Sequence, residues 1–269
     1  MKRLSVLCTT MHRNDLSKYD EMKIDTDVIF ANQCDRNEVV EESRDGNRVC
    51  MISTKTRGVG LNRNITLLAA ETEIVLFADD DMIYYDGYAE GVLKAFDELP
   101  QADMIVFGID FTKNGEVFAG RHNPVKRRRV YNSLRYGACV LAARLDSLHR
   151  VNASFTNLFG GGCIYGSGED SKFIVDCMRK GLKLYSHSFV LGACAKDESS
   201  WFTGYHEKFF YDKGAWIAAT FPKMGLLMRH YIAVRFRNKT ELSYRQCCRL
   251  IKSGQRGFLK LATWPPLRK

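Results

Sequence analysis

Glu73-Ile74-Val75-Leu76-Phe77-Ala78-Asp79-Asp80-Asp81 decides the reading of this chain: an apolar run of strand length ends directly in three carboxylates. Side chains two apart on an extended chain point the same way, so Asp79 and Asp81 can converge on one point while Asp80 turns aside. Crowded carboxylates repel one another unless a cation neutralises them. An oxygen-only ligand set selects hard ions, Mg²⁺ or Mn²⁺, which in turn grip a diphosphate. An acid triplet by itself is as well explained by a solvated loop or a helix cap. Its place at the end of a buried strand favours a ligand site, because open α/β sheets bind at the carboxyl ends of their strands.

Around this stretch the pattern alternates. Leu4 to Cys8, Val28 to Ala31, Val49 to Ser53 and Met104 to Gly108 are short apolar runs of strand type. Leu61 to Glu71 and Tyr88 to Glu98 have helical length, the latter with Val92, Ala95 and Phe96 on one face. Strands alternating with helices predict an α/β fold with a mostly parallel, covered sheet. Asn114-Gly115 between Phe111 and Val117-Phe118 signals a hairpin, so antiparallel pieces are expected in the second half. Ser167-Gly168-Glu169-Asp170 opens a helix with Phe173, Ile174, Cys177 and Met178 on one side. Arg179-Lys180 and then Gly181 close it, as a C-terminal glycine should.

Two further segments bear on chemistry. Thr56-Arg57-Gly58-Val59-Gly60-Leu61-Asn62-Arg63-Asn64 is glycine-bearing and basic and opens a helix, the setting of a phosphate cradle. It lacks both the G-K-[ST] ending of a P-loop and the third glycine of a dinucleotide fingerprint, and an ordinary loop explains it as well. Glu169-Asp170, after Phe159-Gly160-Gly161-Gly162, can supply a general base or simply cap its helix.

The order and spacing of these pieces, "NRN…AAETEIVLFADDDM" and "FGGGCIYGSGEDSKFIVDCMRKGLKLY", resemble the family 2 glycosyltransferases of the GT-A fold over most of residues 1–200. The resemblance is to bacterial enzymes that build capsule, exopolysaccharide or O-antigen units. It implies an inverting transferase that takes a sugar from a nucleotide-diphosphate donor, a UDP-sugar foremost, to a glycan or lipid-linked acceptor with the help of Mn²⁺ or Mg²⁺. Carried over by position, it implies donor contacts at Thr9, Asn32, Arg63, Asp79 and Asp80. It places the metal on Asp79 and Asp81 and the base at Asp170 with Glu169 beside it. Asn32 stands where the family commonly has an acid, so base selection would lean on Asp35. The Q-x-x-R-W motif of processive members is missing after Asp170, which favours single additions. A late histidine sometimes reaches the metal, and His206 in Trp201-Phe202-Thr203-Gly204-Tyr205-His206 could do so; whether it or His187 would is left open, and a surface or core histidine making one hydrogen bond accounts for each more simply. A sugar nucleotidyltransferase would want a glycine- and lysine-rich loop where this chain has Thr9-Thr10-Met11-His12. An inactive GT-A-like sugar-binding protein would have lost acids that are all present.

Charge is segregated along the chain. From Pro222 to Lys269 there are 12 Lys or Arg and one acid, Glu241, whereas the first 221 residues carry 28 bases and 30 acids. This suits an anionic membrane surface better than a nucleic acid, whose partners carry their basic surface at the active site. A catalytic domain over 1–221 and a basic helical tail over 222–269 are therefore expected. In the tail, Leu226, Leu227, Tyr231, Val234, Leu250, Ile251, Phe258 and Leu259 form stripes flanked by bases, suited to a headgroup layer. Lys126-Arg127-Arg128-Arg129 reads as a solvated loop, with the phosphates of a lipid-linked acceptor as the alternative. Nine cysteines without a C-x-x-C pair look like free thiols of a reducing compartment. No apolar run reaches the ~18 residues of a membrane span, and Met1 to Arg13 reads as a first core strand rather than a signal peptide. The expected location is cytoplasmic, peripheral on the inner face of the membrane through the tail.

Overall fold

The computed structural model describes residues 3–195, 204–260 and 264. The first half builds β1 (Leu4–Met11), α1 (Lys18–Glu21), β2 (Asp27–Gln33), β3 (Glu38–Arg44), β4 (Asn47–Thr54), α2 (Val59–Leu68), β5 (Ile74–Asp79), β6 (Met82–Tyr84) and α3 (Tyr88–Glu98). The second half adds β7 (Met104–Lys113), β8 (Glu116–Arg121), β9 (Lys126–Arg127), α4 (Val130–Ser133), β10 (Leu141–Arg144), α5 (Leu145–Arg150), α6 (Glu169–Arg179) and β11 (Leu184–Ala195). Three helices follow: α7 (Glu207–Thr220), α8 (Gly225–Arg235) and α9 (Tyr244–Leu259).

One sheet runs β3-β4-β2-β1-β5-β10-β7-β11-β6, with β8 and β9 attached to β7 and β11. β4, β2, β1 and β5 are parallel neighbours, so their carboxyl ends lie along one edge. The registers set what meets there: Thr9 lies opposite Asp79, and Thr10 opposite Asn32. The central strands read as near-continuous apolar runs because both faces are covered; Val6, Leu7, Val75, Leu76 and Phe77 are completely buried. Asn114 and Gly115 both take positive φ and close the β7–β8 hairpin as their dipeptide requires. β10, which has no signal of its own, enters antiparallel between β5 and β7.

The predicted boundary at Pro222 falls inside a packed unit. A second core joins Phe159, Tyr165 and Val175 of the body to Phe210, Trp216 and Phe221 around α7 and to Met228, Ile232, Cys247 and Ile251 of α8 and α9. α7 and α9 cross at glycines: a Cβ on Gly214 would meet the Ile251 carbonyl at 2.1 Å, and one on Gly254 the Tyr211 carbonyl at 1.9 Å. Only residues without a side chain let the two backbones approach so closely. Three of the four α9 residues of the expected surface stripe are thereby corrected: Ile251 is fully buried, and Leu250 and Phe258 pack on this core, whereas Leu259 lies exposed as expected. Leu226, Leu227, Tyr231 and Val234 of α8 do lie exposed, at 63%, 63%, 50% and 63%. Residues 261–263 and 265–269 of the tail lie outside the described residues.

Candidate active site

The N-R-N run at the start of α2 builds the site. Successive residues on a helix point about 100° apart, so the three side chains reach three neighbours. Asn62, completely buried, donates to the Ala31 carbonyl at 2.9 Å and the Thr10 carbonyl at 3.4 Å, tying the ends of β1 and β2 to α2. Asn64 exchanges hydrogen bonds with the Phe155 backbone at 2.9 and 2.7 Å. Arg63 lies between, its guanidinium 5.3 Å from the Phe155 ring centroid, and Phe155 stacks on Phe173 at 3.9 Å. Seated on this aromatic floor, Arg63 donates to Asp79 Oδ1 at 2.8 Å and to Asp170 Oδ1, with Glu169 at 3.5 Å.

Arg63 is 3% exposed, and one guanidinium therefore faces three carboxylates in a desolvated cluster. The excess negative charge has a consequence at Asp170. Burial, opposed by Arg63 but reinforced by the charges of Glu169 and Asp79, pushes its carboxyl up to about 7. Its second oxygen accepts from the Ala138 N–H at 3.0 Å, so this acid does not cap its own helix. The side chain keeps 23% of its surface exposed, toward the cleft. Glu169 accepts from the Gly168 N–H at 2.9 Å. The glycines ahead of α6 are required by close approach as well as by positive φ. At Gly160 a Cβ would strike Glu169 and Val59, and at Gly168 it would strike the Trp216 ring at 2.3 Å.

At the strand ends, Thr9 donates to Asp79 Oδ1 at 3.3 Å, and Thr10 donates to Asp80. Asp81 is exposed, and the Cys194 thiol donates to its Oδ2 at 3.2 Å. Desolvation of the carboxyl and the charges of Asp79 and Asp80 raise its pKa. Asp81 is thus an acid short of positive charge, which fits the end of a divalent-cation site. Among the described residues no three His, Cys, Asp or Glu side chains are gathered to hold a metal. The protein offers Asp81 and the outer edge of Asp79, and the remaining oxygens would come from a diphosphate and water, the usual habit of Mg²⁺.

Other expected residues are placed differently. Asn32 is fully buried and spends its amide on the Arg13 backbone, at 3.0 and 2.8 Å, and on Ser53 Oγ at 3.0 Å. It shapes the wall of the cleft rather than facing it. Asp35 is exposed just beyond β2. Thr56 to Gly58 is an ordinary loop leading into α2, since Gly58 N–H is taken by Gln33 Oε1 at 2.8 Å and the first helical N–H, of Val59, by the Gly161 carbonyl at 3.0 Å. His206 stands exposed at the start of α7, with Trp201 to Thr203 outside the described residues. His187 lies 3.4 Å from Glu98 and serves the surface of β11. Within 126–129, Arg128 is buried, donates to Ser186 Oγ at 2.8 Å and is structural. All nine cysteines are free.

A cavity of about 720 Å³ flanks the acids, with Phe107, Arg135, Tyr136, Gly137, Cys139 and Cys194 among its walls. It touches both ends of the site, through Cys194 beside Asp81 and through Gly137 and Cys139 on either side of the Ala138 N–H that holds Asp170. Arg135 and Cys194 carry no sequence signal that would have found them.

Known proteins resemble this chain in sequence family and in fold. Residues 17–149 match the model of glycosyl transferase family 2. The fold is that of S. aureus TarS: the crystal structure of TarS 1–349 in complex with UDP-GlcNAc superposes with a TM-score of 0.57 at 16% identity, covering 97% of this chain and 73% of that one. The complex of the same fragment with UDP gives 0.57 at 15% identity, covering 96% and 72%. Against the longer TarS structure the score is again 0.57 at 15% identity, and this chain spans 44% of that chain. No curated protein matches the sequence.

Proposed function

With residues 17–149 belonging to glycosyl transferase family 2 on a GT-A fold, we propose that the protein is an inverting glycosyltransferase that moves a sugar from a nucleotide-diphosphate donor to an acceptor hydroxyl. The observation that carries the reading is Arg63, which joins the strand-end acid Asp79 to the helix-start acid Asp170 in one buried cluster. In this reading Asp170 takes the proton of the acceptor hydroxyl, whose oxygen bonds to the anomeric carbon as the bond to the nucleoside diphosphate breaks. Displacement from the opposite side inverts that carbon. Thr9, Asp79 and Asp80 bound the donor end. Asp81, with Asp79, would hold Mn²⁺ or Mg²⁺, and such an ion supplies Lewis-acid stabilisation of charge on a leaving diphosphate. The UDP and UDP-GlcNAc complexes of the structural neighbours make a uridine donor the first to test. The acceptor is a glycan or lipid-linked sugar of surface-polysaccharide assembly.

Thermal stabilisation by UDP tests the reading. In Mn²⁺, UDP at a hundredfold excess over its Kd should add about 2.7 kcal/mol of stability, and excess EDTA should abolish the gain. Asp81→Ala should lose the metal-dependent part, and Asp80→Ala should retain it because Thr10 holds that carboxylate aside. Equal stabilisation with and without the ion would count against bridging through Asp81.

We also propose that α8 rests on an anionic membrane surface. Among the described residues no helix is long and apolar enough to cross a membrane, but α8 exposes Leu226, Leu227, Tyr231 and Val234 beside Lys223, Arg235 and Arg237. Each base near an anionic headgroup layer is worth about 1 kcal/mol, and the effect is screened over ~8 Å at physiological salt. Removing the tail would open the second core, so the test substitutes its outer face. The full chain should co-sediment with anionic liposomes at low salt, and the Leu226→Gln/Leu227→Gln variant should not. Equal sedimentation of the two would end the idea.

A further inference from the structure

A second cavity, of about 340 Å³, lies behind the helix-start acids, between α4, α6, α7 and α8. Its chemistry differs from that of the donor end. Arg135, Lys213 and Arg235 line it with Ser171, Trp216 and Tyr131, and no Asp or Glu is among the residues of its wall. Lys213 is drawn inward rather than solvated. Its Nζ donates to Ser167 Oγ at 3.0 Å and lies 5.2 and 6.0 Å from the Phe209 and Trp216 ring centroids. The hydrogen bonds that neighbouring Asp212 accepts, from Lys208 and from the Gly166 N–H at 2.9 Å, go to its Oδ2 and come from groups other than Lys213. The cost of burying the ammonium exceeds the help of Glu169 and Asp212 and lowers its pKa. A cation drawn into a half-enclosed aromatic room is the arrangement that an anion completes.

The two cavities share Arg135, and the smaller one is also lined by Ser171, next in sequence to Asp170. On the far side the 340 Å³ cavity is walled by Tyr231 and Arg235 of α8, the helix whose outer face is apolar.

Resting on the transferase reading above, we propose that this cavity is an acceptor subsite: Lys213 and Arg235, with Arg135, bind a phosphate group of the acceptor. The phosphate anchors the acceptor there while its hydroxyl reaches Asp170 through the larger cavity. Tyr131, 80% exposed, offers a face to the adjoining sugar ring. The position beside α8 suits a phosphate presented at a membrane surface, and a phosphate on a soluble glycan has the same chemistry.

The test uses the full chain in EDTA, which removes metal-bridged binding at the donor end. Glycerol 3-phosphate in solution, and phosphatidic acid in phosphatidylcholine vesicles, present the group from the two sources. Wild type should bind at least one of them, measured by titration calorimetry or co-sedimentation. Lys213→Met/Arg235→Gln should bind roughly ten- to a hundredfold more weakly, the effect of losing charge-assisted hydrogen bonds. Arg235→Gln alone, at an exposed position, guards against misfolding and should lose part of the affinity. The metal-dependent gain from UDP should be unchanged in all variants. A soluble response assigns the phosphate to a glycan and upholds the site; a vesicle-only response assigns it to a lipid-linked acceptor if Lys213→Met alone weakens it, and to the outer face of α8, against the site, if only Arg235→Gln does. Failure of wild type to bind either probe, or equal binding by the double variant, overturns it. Loss of the UDP response with phosphate binding intact would instead strike the donor reading.

Discussion

Asp170→Asn is expected to lower sugar transfer by about 10²–10⁴-fold while leaving metal-dependent UDP binding intact. The amide keeps the shape of the carboxyl, but its single oxygen can accept from the Ala138 N–H or from Arg63 and not from both, and it cannot take a proton. The pH profile supplies the second readout. With the Asp170 carboxyl pushed up to about 7, transfer by the wild type should rise through that pH and level off above it. Stability should run the opposite way. An acid whose folded pKa lies above its unfolded value of ~3.9 binds its proton more tightly in the native state. Its contribution is therefore complete below pH 4 and is lost as pH climbs toward 7. The Asn variant lacks that loss, so its melting temperature should gain on the wild type between pH 5 and 8. Asp81 is displaced in the same direction and leaves a residual slope in both proteins. Near-normal transfer by Asp170→Asn, with the large loss appearing in Glu169→Gln, would reassign the base within the pair.

Much of this site is legible in the sequence because local rules and chemistry coincide there. An apolar run of strand length that stops at Asp79 reads as a buried strand reaching the sheet edge, and Ile74–Asp79 is one; Gly181 with φ of 100° ends α6 where a C-terminal glycine belongs. What escapes the sequence is decided by distant partners. β3 is exposed along most of its length and has no alternation; only Asp45-Gly46, whose φ values of 49° and 74° close its hairpin with β4, marks it. The α9 stripe carries the same apolar and basic residues whether it meets lipid or protein. Gly254, placed for the Tyr211 carbonyl, is the residue that separates the two cases, and its meaning is visible only once α7 lies across it. Lys213 looks like any solvated helix lysine until Ser167 and Trp216 close around it. Asn32 occupies the expected strand end, yet the Arg13 loop folds back and consumes its amide.

Arg63→Met should have the largest effect on the folded state. Removing the one buried cation leaves Asp79, Glu169 and Asp170 facing each other, and breaking a buried ion pair from one side typically costs about 3–5 kcal/mol. The cost should grow with pH, because the Asp170 carboxyl, already pushed up to about 7, relieves the repulsion only while it holds its proton. At pH 5 the variant should melt close to the wild type, and at pH 8 far below it. Arg63→Lys restores the charge without the planar fork that spans Asp79 and Asp170, so it should recover much of the stability but little of the activity. Transfer should stay down by at least about 10²–10³-fold, the scale of losing one preorganised electrostatic contact. The double variant Arg63→Met/Asp170→Asn separates charge from packing. If excess negative charge is what the arginine answers, removing one acid should return part of the lost stability at pH 8, a coupling that additive effects do not give. If the double variant is instead less stable than Arg63→Met, the arginine serves mainly as a packing residue on Phe155 and Phe173, and the raised pKa of Asp170 must have another origin.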